Sequence, residues 1–408
     1  MMVERQEYLD ELRKWQNEKV IKVVTGLRRC GKSTLLSQFQ NELLRSGIAD
    51  EQIISINFED LQFESLTSYS KLYQYVSERL CPDRMNFVFL DEVQMVDDFQ
   101  KAVDSLYLKD NVDLYITGSN AYLLSGELAT LLSGRYVEIK MLPLSFKEYV
   151  GLKCEGETDT LFSNYMKYGG LPYIATLDDP AEKADAYLEG IYNTIIIKDI
   201  ELRQKHKEPD PNKRRITDMT LLRNIARFLA SSIGSPVSVK SIADYITSSG
   251  RRISQNTVAD YVEALIEPFI FYPAERYDIK GKQLLKQNRK LYIVDLGLRR
   301  HLIPRQNYDL GHSLENIVYL ELLRRGFEVT TGKVGSSEVD FIAKKGEDIF
   351  YYQVTASLTD ENTFNREFAS LRAISDNYPK TVLTLDRFTL GNYDGIIAEN
   401  AVDWLLRK

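Results

Sequence analysis

The stretch Gly26-Leu27-Arg28-Arg29-Cys30-Gly31-Lys32-Ser33 constrains this chain more than any other. It follows a β-branched apolar run, Val20 to Val24, and opens onto helix-favouring residues from Lys32 onward. The spacing G-x-x-x-x-G-K-[ST] is that of a phosphate loop, and each fixed position has a physical reason. Gly26 and Gly31 permit positive φ, which turns successive backbone N–H groups toward one anion. A helix starting beneath that anion adds its unsatisfied N–H groups and its dipole. Lys32 is expected to reach the β- and γ-phosphates of a nucleoside triphosphate, and the Ser33 hydroxyl to ligate magnesium. The expected nucleotide contacts are therefore Gly26, Leu27, Arg28, Arg29, Cys30, Gly31, Lys32, Ser33 and Thr34. Cys30 reads as a small neutral filler; a redox-sensitive thiol is the alternative.

Residues 34–44 read as a helix and 52–58 as a second strand. NFVFLDEVQ, residues 86–94, then closes four apolar residues on Asp91-Glu92. A buried parallel strand ending in two carboxylates suits magnesium-dependent ATP hydrolysis, with Asp91 orienting the metal's water and Glu92 polarising the attacking water. A further strand, 111–117, ends in Gly118-Ser119-Asn120. Asn120 or Ser119 is a candidate γ-phosphate sensor, with a helix cap as the competing use. Arg135 follows a Gly-Ser turn and precedes a strand over 136–140; it could stabilise transition-state charge in its own subunit or in a neighbour's. Arg28 and Arg29 compete for that role, and action on a neighbour implies a homo-oligomer.

With 408 residues the chain is long enough for two to four domains. No apolar run approaches the roughly 18 residues of a membrane span, and the charged start lacks a signal-peptide core, so a cytoplasmic, membrane-free protein is expected. Three cysteines and three histidines are scattered without metal-ligand spacing. The net charge of −7 argues against a uniformly nucleic-acid-coated surface. Even so, nine basic residues between Arg276 and Arg305 face only Asp278 and Asp295, which describes either a local phosphate-binding patch or a solvated face.

GLRRCGKSTLL, FVFLDEVQ, ITGSNAYLL and LSGRYVEIKMLPLSFKEY, in this order, resemble the prokaryotic ATPases of the AAA superfamily. The closer resemblance is to the group in which such a core is followed by a domain of unassigned function. It continues through KYGGLPYI, YNTIIIKDI, RYDIKGKQLL, YIVDLGLR, LENIVYLELLRRG and EVDFIA, and so covers nearly the whole chain. The resemblance implies an α/β P-loop NTPase core whose sheet has five parallel strands, the acidic-pair strand not adjacent to the loop strand. It also implies that Lys32, Ser33, Asp91 and Glu92 serve ATP and magnesium, and that Arg135 senses nucleotide.

The expected organisation is an ATPase core over 1–145, a helical lid over 146–200, a linker over 201–215, a winged helix over 216–305 and an α/β domain over 306–408. Helices over 221–234, 238–247 and 254–269, followed by an aromatic strand pair, make the winged helix. In that geometry Arg251 and Arg252 at the third helix, with Lys280, Lys282 and Lys286 on the wing, would face double-stranded DNA. Docking of a protein partner is the alternative, and Asp260 and Glu263 oppose phosphate. The last domain resembles the restriction-endonuclease core, with Glu315 and Asp340 as its acids. Its expected acid-x-lysine triplet reads Gln353-Val354-Thr355, so a degenerate, binding-only version is expected ahead of a nuclease. The function read from these residues is an ATP-hydrolysing switch controlling DNA contact, with an ATP-gated signalling or scaffolding protein and an ATP-dependent nuclease as alternatives.

Overall fold

A computed structural model describes residues 3–118, 132, 134–195, 200, 216–303 and 309–407. The chain divides into two compact units, 1–142 with 267–269, and 143–266 with 270–408.

The first unit contains α1 (Gln6–Lys14), β1 (Ile21–Thr25), α2 (Lys32–Arg45), β2 (Ile53–Asn57), α3 (Tyr69–Ser77), β3 (Asn86–Asp91), α4 (Phe99–Tyr107), β4 (Val112–Gly118) and β5 (Tyr136–Lys140). Its sheet is parallel throughout, in the order β2-β3-β4-β1-β5. Every residue of β1, β3 and β4 is buried, as a parallel sheet covered on both faces requires. Strand alternation sorts the side chains: Ile21, Val23, Val88, Leu90, Leu114 and Ile116 share one apolar core. On the α2 side Phe39 packs on Phe89 and Tyr115, centroids 6.4 and 5.4 Å away. Lys22 interrupts the apolar run of β1 and is fully buried against Asp113, which also accepts from the Tyr115 hydroxyl at 2.8 Å. The acidic-pair strand β3 is separated from the loop strand β1 by β4.

The second unit begins with α5 (Phe146–Lys153), α6 (Thr158–Tyr168), α7 (Pro172–Thr176) and α8 (Pro180–Thr194). Next come α9 (Met219–Ser231), β6 (Pro236–Val237), α10 (Val239–Ser248), α11 (Gln255–Ile266), β7 (Phe271–Asp278) and β8 (Gln283–Ile293). The remainder is α12 (Leu296–Leu302), α13 (Leu310–Arg324), β9 (Glu328–Val334), β10 (Ser337–Lys345), β11 (Asp348–Thr355), α14 (Glu361–Arg372), β12 (Lys380–Thr384), β13 (Gly391–Tyr393), β14 (Ile396–Asn400) and α15 (Ala401–Leu406). Ser238 and Ser254 cap α10 and α11 through their hydroxyls, at 3.0 and 3.1 Å from Ser241 N and Thr257 N. One nine-stranded sheet, β13-β14-β12-β11-β10-β9-β7-β8-β6, joins the hairpin after the three helices to the C-terminal strands. Parallel pairing of β7 with β9, Arg276 opposite Thr331, makes that junction, so the sheet runs straight across residue 305.

A second junction lies at Tyr168–Leu171. The Asp295 carboxylate accepts from Gly170 N at 2.7 Å and from Leu298 N at 3.0 Å, capping α12. Gly169 has φ +80°, and a Cβ there would stand 2.2 Å from Asp295 Oδ1, so only glycine fits. Among the described residues no helix is long and apolar enough to cross a membrane.

Candidate functional site

The loop between β1 and α2 lies at the carboxyl edge of the first unit's sheet, where open parallel sheets bind ligands. Gly26 has φ +149°, and a Cβ there would meet Met141 O at 2.1 Å. Gly31, at φ +108°, caps α2 and frees its first N–H groups. Lys32 is 4% exposed and folds back over the loop. Its Nζ donates to Gly26 O at 3.2 Å and to Leu27 O at 3.4 Å, and lies 3.6 Å from Glu92 Oε1.

Asp91 and Glu92 end β3 on the same edge, both nearly buried. The Ser33 side chain is close enough to the Asp91 carboxylate to favour its charged form, so the loop serine and the strand acid are neighbours. Burial pushes the Asp91 carboxyl up, against the Ser33 and Thr117 hydroxyls, which favour its charged form; a cation placed between Ser33 and Asp91 would bring it down. Thr117, on the intervening strand β4, ties the pair together. Its hydroxyl donates to Asp91 Oδ1 at 2.5 Å and accepts from Glu92 N at 2.9 Å. Glu92 adopts φ 57°, a conformation costing a non-glycine residue about 1–2 kcal/mol.

Two residues outside the motif brace the loop. Arg5, 3% exposed, donates to Cys30 O at 3.2 Å and Leu142 O at 2.8 Å, while the Tyr8 hydroxyl accepts from Leu142 N at 3.1 Å. Neither carries a local signal; only the tertiary contact reveals them. Thr117 had one, a hydroxyl at the end of a buried strand next to the acidic pair. Cys30 is fully buried, and burial pushes its thiol up against the opposing charges of Lys32 and Arg5; this suits filler and opposes reactivity. Arg28 pairs with Glu59, and Arg29 is exposed at φ 67°.

Arg135 is not brought to this edge. Its carbonyl accepts from Ile21 N at 2.9 Å, at the start of β1, whereas the loop begins five residues later. At about 3.3 Å per residue that is roughly 16 Å along the sheet. Its guanidinium lies over the Tyr107 ring instead, 5.4 Å from the centroid. Ser119 and Asn120 lie outside the described residues, as does the expected linker over 201–215.

The second unit gathers the C-terminal candidates around a cleft of about 830 Å³. Glu315, Asp340, Gln353 and Thr355 do converge there, joined by Glu338, Glu367 and, unforeseen, Lys290. Lys290 is 4% exposed; burial lowers its pKa, but Glu315, Asp340 and Glu338 outweigh burial and raise it. Burial and the Glu315 charge push Asp340 up to about 8, against Lys290. Gln353 Nε2 donates to Glu367 at 2.6 Å, and Asp340 Oδ2 accepts from Val354 N at 2.9 Å.

The basic surplus between 276 and 305 is largely committed internally. Arg276 faces Glu338 at 3.8 Å, Arg289 faces Glu263 at 2.8 Å and Arg300 faces Asp185 at 3.0 Å. Arg299 donates to Ala230 O and Ser313, and Arg251 pairs with Asp218. Arg252, Lys280 and Lys282 are exposed; the Lys286 side chain lies outside the description.

The comparisons with known proteins agree with the first unit's geometry. A family model described as an AAA domain matches residues 18–150, and one described as a domain of unknown function matches 159–309. An uncharacterized protein of Haemophilus influenzae is 41% identical, covering 100% of this chain and 99% of its own length. An uncharacterized protein of Methanocaldococcus jannaschii is 30% identical over 87% of this chain and 79% of its own length. Among solved structures, a Walker-type ATPase of Pyrococcus abyssi superposes with a TM-score of 0.50 at 17% identity, covering 74% of this chain and 96% of its own, a likeness of fold. The chain belongs to the family of the Haemophilus and Methanocaldococcus proteins, and its N-terminal core is an AAA-type domain.

Proposed function

We propose that the first unit binds magnesium–ATP and hydrolyses it. The observation that carries this reading is the pairing of the loop lysine with the strand acid, Lys32 Nζ standing 3.6 Å from Glu92 Oε1, beside Asp91, which the Thr117 hydroxyl holds at 2.5 Å. Ser33 and Asp91 would hold the magnesium, which neutralises phosphate charge. Lys32 would exchange its loop carbonyls for the β- and γ-phosphates, and Glu92 would orient the attacking water, its position fixed through Thr117. Lys32→Ala is expected to abolish binding of a fluorescent ATP analogue. Glu92→Gln should bind it normally and release phosphate about 10²–10³-fold more slowly. Normal turnover in both variants would refute the reading.

Nucleotide state is proposed to govern what the second unit engages. DNA contact through the wing rests on the exposed Arg252, Lys280 and Lys282. The internal pairing of Arg251, Arg276, Arg289 and Arg300 favours a protein partner instead. Salt-dependent binding of duplex DNA separates the two, since each phosphate contact steepens the salt slope by about 0.9. Arg135, remote from its own loop, is proposed to serve a neighbouring copy's nucleotide, which makes the active form a homo-oligomer.

A further inference from the structure

We propose that the Lys290 ammonium is the resident cation of a three-carboxylate cage in the second unit, standing where a divalent metal would stand and closing that cleft to metal chemistry. Lys290 comes from β8, Glu315 from α13, and Glu338 and Asp340 from β10. Its Nζ lies 2.6 Å from Glu338, 2.9 Å from Glu315 and 3.6 Å from Asp340. A calcium-sized ion takes carboxylate oxygens at about 2.3–2.6 Å; Glu338 and Glu315 stand near that range, and Asp340 would have to close in from 3.6 Å on an ion in the ammonium's place. Two of its N–H donors are within hydrogen-bond distance of Glu338 and Glu315, and Asp340 adds a longer ion pair.

Charge explains the neighbouring residues. A divalent ion brings two positive charges and a lysine brings one, so a cage built on lysine tolerates fewer carboxylates. Position 353 accordingly carries an amide, whose nitrogen donates to Glu367 at 2.6 Å and whose oxygen accepts from Asp340 N at 3.3 Å. Thr355, where the resemblance to restriction endonucleases would place a lysine, spends its hydroxyl on Ser357 O at 3.2 Å. With the ammonium between them, Glu315, Glu338 and Asp340 do not form a group of three that could hold a metal, and neither do any other His, Cys, Asp or Glu side chains among the described residues. The lysine also ties the hairpin strand β8 to the C-terminal strand β10, two strands apart from direct pairing.

The test uses full-length, nucleotide-free protein and terbium(III) as the probe. The Tyr292 hydroxyl donates to Glu315 at 2.7 Å, so an ion in the cage would be sensitised by that ring. Lys290→Met should gain a saturable tyrosine-sensitised emission that wild type lacks and that adding Glu338→Gln removes. A wild-type signal abolished by Glu338→Gln alone would overturn the proposal, as would a folded Lys290→Met with no gain. If Lys290→Met unfolds in chelator, recovery of its circular dichroism with Mn²⁺ supports the cage, and no recovery overturns it.

Discussion

Each unit holds a nearly buried lysine beside acidic side chains, and the two are held in opposite ways. Lys32 rests on Gly26 O, Leu27 O and Glu92 at 3.2–3.6 Å, contacts that a phosphate can replace one by one. Lys290 makes ion pairs of 2.6 and 2.9 Å with Glu338 and Glu315, and no incoming anion would better them. The same residue type therefore waits for a ligand in one unit and substitutes for one in the other. What separates the cases is whether carboxylates or backbone carbonyls surround the ammonium.

Stability should break this comparison most visibly. Lys290→Met, in chelator, leaves carboxylates buried without their counter-charge and is expected to cost the second unit about 3–5 kcal/mol. Lys32→Ala loses only long hydrogen bonds and is expected to stay within about 1 kcal/mol of wild type. Urea unfolding of both variants decides the matter; equal losses would mean that Lys32 is structural as well.

The next effect down is pH-dependent and lies at Asp295. Burial pushes that carboxyl up to about 6, against the N–H groups that it accepts from. Unfolded, it would titrate near 4. A raised folded value means that the stabilising contribution is complete below pH about 4 and is lost as pH rises through 6, an effect on the order of 3 kcal/mol. Asp295→Asn removes the titration, so the stability of wild type relative to the variant should fall between pH 4 and 7. Parallel curves would place the titrating group elsewhere.

Local pattern made the nucleotide half legible, because a phosphate loop and an acidic strand end are contiguous stretches whose chemistry is written at fixed spacing. Lys32, Ser33, Asp91 and Glu92 needed no tertiary information to be grouped. Thr117, Arg5 and Tyr8 did, since each reaches the loop from a distant segment. The second unit was harder for the same reason. The basic run from 276 to 305 looked like surplus charge until Arg276, Arg289, Lys290 and Arg300 were seen against acids far away in sequence. The β13–β14 hairpin turns at Asp394-Gly395, with positive φ at both positions, a turn that dipeptide favours. The expected boundary after residue 305 falls between β8 and β9 of one sheet, since strand pairing between β7 and β9 ignores sequence order.

The smallest effect is expected at Arg135, and it tests whether the first unit's site is complete within one chain. The guanidinium is exposed over the Tyr107 ring, a contact worth about 0.5–1 kcal/mol, so Arg135→Ala should barely shift the unfolding midpoint. Nucleotide affinity of the dilute variant should stay within about twofold of wild type, because roughly 16 Å of strand separates this residue from the loop. Turnover should behave differently. If the arginine completes a neighbour's site, wild-type turnover per chain rises with protein concentration and the variant's does not. A variant that binds nucleotide poorly even when dilute would contradict the sheet register that sets Arg135 at the far end of β1.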